Sequence, residues 1–423
     1  MTRITHAVSI TTTVGFCWLM AASAAAQGTP DKAPAPPTAE SKVTITPYGF
    51  IIGNLAYNTG SVNDQVAPSI AKSGSKKGDE DLFTDGSVIV TPRQTRLGVK
   101  VSTAMNETVS VNGKVEVDFW GLHGSKGPGA ITQTTIRLRL AYFTIGTKQM
   151  QLLVGQNWVV LNRPWPISMA HIVIPAFTAG GNLWNRLPQI TGIYNHDSGF
   201  QLKVSLVHPH DSLQSGSGAI TQAIQTSPGT LSQTPFFQGR AQFKTKFITA
   251  GVSGHIGQEK FAITDPNNGD AVVGDEKVPT QAVSADLQLS YEGFAVYVQG
   301  FIGANTKPLF GLSSVRKITL DDGTMSTEEV KSAGGWVELS YKAGDIKFYA
   351  GAGAEKIDDD DAGTENPAST IENNMFYVTI MYAPHKNFDV GLEYSRNNTY
   401  YRGGGTANDG LNDHINLALR MKF

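Results

Sequence analysis

Arg96, Lys114, Glu116, Asp118, Arg137, Arg139, Arg163, Arg186 and Arg240 are the charged residues whose types and spacing suggest joint chemistry. The guanidinium fork matches carboxylates and phosphates. Arg137 and Arg139 are two apart, as are Glu116 and Asp118, so each pair shares one side of an extended segment. Two readings stay open. The arginines hold small anions, or they pair with Glu116 and Asp118 and stiffen a wall.

Other combinations carry less. His196-Asp197-Ser198 has the residue types of a hydrolase triad, but neighbours in a tight turn cannot take triad geometry. His208-Pro209-His210-Asp211 offers two imidazoles around a proline, a poor metal cage. Asp265-Pro266-Asn267-Asn268-Gly269-Asp270 lacks the ligand order and closing Glu of a calcium loop. Asp358 to Asp361 reads as a solvated acidic tip. Gly351-Ala352-Gly353-Ala354 lacks the third glycine of a dinucleotide loop and reads as close strand packing. The sequence therefore assigns no catalytic residue, no metal and no cofactor.

Something must hold the charged residues in place. The chain has 423 residues, with 17% charged, 40% hydrophobic and 45 glycines. Ordinary soluble domains carry about 25% charge and roughly 7% glycine. A mean hydropathy of −0.16 is too polar for a helical membrane protein. A net charge of −2 gives nucleic-acid binding no support.

Period-two alternation supplies the elements. Val109, Val111, Val115 and Val117 oppose Ser110, Asn112, Lys114, Glu116 and Asp118. Ile136, Leu138, Leu140 and Tyr142 oppose Arg137 and Arg139. Phe388, Val390, Leu392 and Tyr394 oppose Asp389, Glu393 and Ser395. A helix would mix these sets, whereas a strand separates them. Strands are expected at 46–57, 88–104, 108–119, 132–145, 149–158, 187–195, 200–208, 236–245, 247–258, 280–291, 294–303, 334–341, 346–356, 375–383, 388–396 and 411–423. Short turns alternate with long connectors at 58–87, 120–131, 159–186, 209–235, 259–279, 304–333, 357–374 and 397–410.

That pattern is all-β: a transmembrane antiparallel up-and-down barrel of about sixteen strands, apolar outside and polar inside. Closure removes strand edges, which lipid cannot satisfy. Tyr48, Tyr142, Tyr291, Tyr341, Phe388, Tyr394 and Phe423 are expected in interfacial girdles. The polar face carries Arg96, Lys100, Lys114, Arg137, Arg139, Lys203, Arg240, Lys244, Lys347 and Arg420 against Glu116, Asp118, Glu338 and Glu393. Basic residues predominate in that set, which points to mild anion preference.

The ends give an address. Residues 1–26 read as a cleaved secretory signal: Arg3, a short apolar stretch around Val14 to Ala22, then Ala24-Ala25-Ala26. Its removal takes away Cys17, the single cysteine, and changes the net charge to −3. Residues 27–41 are a Pro-rich periplasmic spacer, and 42–423 the barrel. Ile415, Leu417, Leu419, Met421 and terminal Phe423 alternate with polar residues. This resembles the last strand that the outer-membrane assembly machinery recognises.

The barrel resembles trimeric Gram-negative porins of the bacterial outer membrane. Two segments are similar to the DcaP-like porins: Ile136-Arg137-Leu138-Arg139-Leu140-Ala141-Tyr142 leading to Gly155-Gln156-Asn157-Trp158, and Asn185-Arg186-Leu187-Pro188-Gln189-Ile190. Some members carry an N-terminal coiled coil, which the Pro-rich spacer does not match. The resemblance implies a homotrimeric channel for passive diffusion of small hydrophilic solutes, seated in lipid and lipopolysaccharide. It also implies a long third loop folded into the lumen. That loop carries Arg163, Trp165, His171 and Trp184 and is too apolar to lie free in water; the alternatives to the folded-in form are that it covers the barrel mouth or packs against a neighbouring subunit. The alternatives are a substrate-specific uptake channel with a saturable site, or an outer-membrane barrel enzyme.

Overall fold

The computed structural model describes residues 43–74, 86–121, 134–161, 165–209, 228–269, 271–358, 370–402 and 409–423. The expected signal (1–26), the spacer (27–41), Arg163, His210, Asp211, Asp270 and Asp359 to Asp361 lie outside the described residues.

The strands are β1 (Thr44–Asn58), β2 (Ser87–Thr91), β3 (Arg96–Ala104), β4 (Ser110–Gly121), β5 (Thr135–Gly146), β6 (Met150–Trp158), β7 (Arg186–Asn195), β8 (Phe200–Val207), β9 (Phe236–Lys244), β10 (Ile248–Asp265), β11 (Ala271–Tyr291), β12 (Phe294–Ala304), β13 (Val315–Thr319), β14 (Met325–Glu329), β15 (Lys331–Ala343), β16 (Ile346–Ile357), β17 (Thr370–His385), β18 (Phe388–Tyr401) and β19 (Gly410–Lys422). Neighbours pair antiparallel throughout, and β1 closes the sheet by pairing with β19 from Phe50↔Lys422 to Asn58↔His414. β2 and β3 follow one another along β1, and β13–β14 is an appended hairpin. The closed barrel therefore has sixteen staves among the described residues. No helix there is long and apolar enough to cross a membrane.

Burial is inverted relative to a soluble protein. Leu419 and Met421 face outward and are about half exposed, while Asn416 and His414 on the other face are fully buried. A continuous apolar exterior is tolerated where lipid covers it. Phe294 stacks on Tyr341 at 4.2 Å, and Phe247 lies 6.0 Å from Tyr291, all at the short-turn end. The expected girdle has its counterpart there.

Four expectations change. The single strand expected at 88–104 is broken at Pro92–Thr95, where proline lacks a donor and Thr95 N–H turns back to the Pro92 carbonyl. The connector expected at 259–279 is mostly ladder: β10 and β11 pair from Ile248↔Leu289 to Asp265↔Ala271. The connector at 304–333 holds the β13–β14 hairpin. The alternation through Ile136 to Phe143 is interrupted by a bulge, where Val117 pairs with Leu138 but Glu116 pairs with Leu140. One extra residue reverses the faces beyond it. Leu140 and Tyr142 therefore join Glu116 and Lys114 on the inner face. Tyr142 is no girdle residue, and neither is Tyr48, whose hydroxyl donates to Glu116.

Candidate functional site

Arg96, Asp118 and Arg137 sit opposite one another across β3, β4 and β5. The register thus sets an acid between two bases. The Arg137 Nε and Nη2 donate to Asp118 at 3.0 and 2.7 Å. Arg139 donates from Nε to Glu116 at 2.9 Å and from Nη1 to Asp118 at 2.8 Å. The bulge aims Arg139 inward beside Arg137, and Gln156 Nε2 donates to the Leu138 and Arg139 carbonyls there. Lys114 and Arg96 approach Glu116 at 3.3 and 3.6 Å. Tyr48 lies across this wall, with Lys100 and Lys114 near its ring face.

Arg186 differs. Among the described residues no acid lies within ion-pair distance of it. Its Nη2 donates to the Val173 carbonyl at 3.4 Å, and its Nη1 is buried without a hydrogen-bond partner. Trp158 and Trp184 flank it, with its guanidinium 4.9 and 5.4 Å from their rings. Trp165 packs on Trp158 at 4.2 Å. Aromatic faces stabilise a guanidinium without neutralising it.

The third connector is fastened at many points. Ile167 N–H donates to Glu338, and Ser168 Oγ and Met169 N–H donate to Glu393, at 2.6 to 2.7 Å. Asn54 donates to the Met169 carbonyl, and the amides of Ile172 and Val173 donate to Gln94. Arg96 donates to the Ile172 carbonyl, and Arg137 and Arg139 reach the Val173 carbonyl. These partners stand on β1, β3, β5, β15 and β18 and in the break between β2 and β3. Met169, Ala176 and Phe177 join a buried cluster with Ile52, Trp336, Tyr377 and Met381. His171 is buried, and its ring has only a loose approach to the Ile174 backbone. Burial, with His414 beside it, holds its pKa down to about 3.

Most of the expected site residues therefore converge: Arg96, Lys114, Glu116, Asp118, Arg137, Arg139, Arg186, Trp165 and Trp184. Arg240 does not; it pairs bidentately with Asp286. Asp389 likewise holds Arg420 and Lys422. Asp286 on β11 and Asp389 on β18, inward acids outside the expected set, narrow its basic excess without removing it. Phe423 exchanges backbone hydrogen bonds with Gly49, closing the barrel seam. His196 Nδ1 lies 2.8 Å from Ser198, but Asp197 pairs with Lys148, so no triad forms. Among the described residues no group of three His, Cys, Asp or Glu can hold a metal.

Sequence reasoning missed Gln94 and the roles of Trp158, Asp286 and Tyr48. It placed Glu338 and Glu393 inward but not as fasteners of the connector. Only the alternation around Glu338 and Glu393 signalled them. Nothing local marks a glutamate that receives a distant backbone amide.

A family model described as Gram-negative porin matches residues 11–409. The outer membrane channel DcaP of Acinetobacter baumannii is similar over 90% of this chain and 97% of that chain, at 19% identity and a TM-score of 0.68. The trimer form of OmpT, an outer membrane protein of Vibrio cholerae, is similar over 90% and 99%, at 13% identity and 0.53. An anion-selective porin from Comamonas acidovorans is similar over 90% and 100%, at 9% identity and 0.54. No curated protein matches the sequence. At these identities the structural likeness carries the fold alone.

Proposed function

The chain belongs to the Gram-negative porin family, a family of outer-membrane diffusion channels, and on that footing we propose that this channel favours small anions, carboxylates above all. The observation that carries the reading is the charge balance around Arg186. Arg96, Lys114, Arg137, Arg139 and Arg186 stand against two carboxylates, Glu116 and Asp118, and Arg186 has no acidic partner among the described residues. An anion entering this region exchanges part of its hydration for guanidinium N–H groups. The low local dielectric strengthens that exchange relative to water. Selectivity then follows from the sign of the charges that line the pore.

The reading has the third connector narrowing the channel. Its bonds to strands on different sides of the barrel support this. Glu338 and Glu393 accept hydrogen bonds from that connector, so two acids are occupied as anchors, while Arg96 Nε and Arg186 Nη1 have no hydrogen-bond partner among the described residues. The pore-lining set is Arg96, Lys114, Glu116, Asp118, Arg137, Arg139 and Arg186. Trimeric assembly, a cleaved signal at residues 1–26, contact with lipopolysaccharide and delivery through the terminal Phe423 strand complete the proposal. The relatives' trimeric form and the sequence pattern support these parts.

A saturable site is a second reading, favoured by Arg186 between Trp158 and Trp184. Reversal potentials of the purified protein in a salt gradient test the first reading, where a cation-selective sign would refute it. Saturation of carboxylate flux with concentration tests the second.

A further inference from the structure

Phe310 lies far from Arg186 in sequence. It sits on residues 305–313, between β12 and β13, a segment shaped by buried polar contacts. Glu355 on β16 accepts from the Leu312 amide at 2.7 Å and from the Ser332 hydroxyl at 3.1 Å. The Thr306 amide donates to Ser313, and the Gly311 amide returns to the Thr306 carbonyl. The turn so closed leaves Phe310 at φ +55°. That left-handed geometry costs a non-glycine residue roughly 1 kcal/mol or more and persists only where its surroundings impose it.

What the turn presents is a cradle for the end of the third connector. The Trp184 amide donates to the Leu309 carbonyl at 2.8 Å, and the Ala179 amide to the Phe310 carbonyl at 3.0 Å. Asn185 Nδ2 donates to the Pro308 carbonyl at 2.8 Å. The Phe310 ring stacks on Trp184 with centroids 4.4 Å apart and planes 18° from parallel. Trp184 is nearly fully buried, and its indole N–H donates to Thr178. Its other neighbours are Trp158 and the Arg186 guanidinium.

We propose that Phe310 is a positioning residue for Arg186, acting through Trp184. The chain of contact runs from Glu355, through the 305–313 turn, to the Phe310 ring, to the indole that flanks the unpaired guanidinium. With the stack removed, Trp184 gains rotational freedom and Arg186 loses one wall of its aromatic slot. The guanidinium then spreads over more orientations and holds anions less well. The inference rests on the reading of Arg186 as the anion-binding group.

The experiment compares wild type, Arg186→Ala, Phe310→Leu and Phe310→Tyr in planar bilayers. Barrel folding is scored by heat-modifiable mobility, and the Trp184–Trp158 environment by near-ultraviolet circular dichroism. Phe310→Leu keeps the volume and removes the ring. It should lower the anion-to-cation permeability ratio by about twofold, in the same direction as Arg186→Ala, in a folded barrel. Phe310→Tyr should restore the ratio and the aromatic signal. A Phe310→Leu channel with unchanged ratio and unchanged near-ultraviolet signal, beside an Arg186→Ala channel with altered ratio, overturns the inference. An unchanged ratio in Arg186→Ala refutes the anion reading instead. In that case loss of the near-ultraviolet signal in Phe310→Leu still shows that Phe310 positions Trp184, and its retention refutes that too.

Discussion

Phe177 of the third connector lies directly against Gly353 of β16. A Cβ built at Gly353 would fall 2.6 Å from the Phe177 Cδ1 and 2.7 Å from the Gly180 carbonyl oxygen. The same ring crowds Gly351 at 2.8 Å and stacks with Trp336 and Tyr377. The two glycines admit the ring to the strand backbone.

Gly353→Val should therefore expel the Phe177 ring. Overpacking of this kind costs roughly 1–3 kcal/mol. Thermal unfolding should shift down, and single-channel conductance should change as the connector moves. Gly274, where a Cβ meets nothing closer than 3.6 Å, is the control position. Equal effects of valine at both sites would contradict the packing argument.

Glu393 holds the connector through Ser168 and Met169 and also accepts from Thr379 on β17. Glu393→Ala leaves those donors unmatched, at about 1–3 kcal/mol for each that stays buried. Limited proteolysis should cut within 165–175 faster than in wild type. A wild-type digestion pattern would refute Glu393 as a necessary anchor, the bonds to Glu338, Gln94, Asn54 and the arginines then sufficing.

Asp118 neutralises Arg137 and Arg139 together. Asp118→Asn removes one negative charge and keeps the shape. Anion preference should rise, and most at low salt, since screening acts within about 10 Å at 0.1 M. A reversal potential that moves toward cations would invert the charge argument.

His171 is held neutral by burial, its pKa about 3 against an ordinary 6.5. Between those values the unfolded chain binds more protons than the folded one. Stability contributed by the buried neutral ring is therefore full above pH 6.5 and declines as pH falls toward 3, by at most about 1.4 kcal/mol per pH unit. Melting temperatures of wild type and His171→Gln, followed from pH 7 to pH 4, should converge as the pH drops. Parallel curves would show that His171 takes no part.

Much of the barrel was legible because lipid enforces a simple rule. Outward residues must be apolar and every strand edge paired, so alternation in β4, β8 and β18 reads directly as strand and face. Reading failed where one residue shifts the register. The bulge opposite Glu116 turned Leu140 and Tyr142 inward, and a bulge has no signature in residue types alone. Pro92 did mark a break, although the apolar pattern on both sides suggested one continuous strand. The long β10–β11 ladder was read as a connector because its upper part, with Lys260, Asp275, Glu276 and Lys277, is too polar to resemble a membrane strand.

The site divides in the same way. Local alternation and charge determined the barrel, its inner and outer faces, and the grouping of Arg96, Glu116, Asp118, Arg137 and Arg139, since these residues are neighbours in sequence or on adjacent strands. Which of Arg186, Arg240 and Arg420 lacks an acidic partner among the described residues was decided only in three dimensions. Arg240 finds Asp286 two strands away, Arg420 finds Asp389 across one ladder, and Arg186 meets indoles and a backbone carbonyl. Pairing depends on distances between residues far apart along the chain, and closure of the barrel sets those distances.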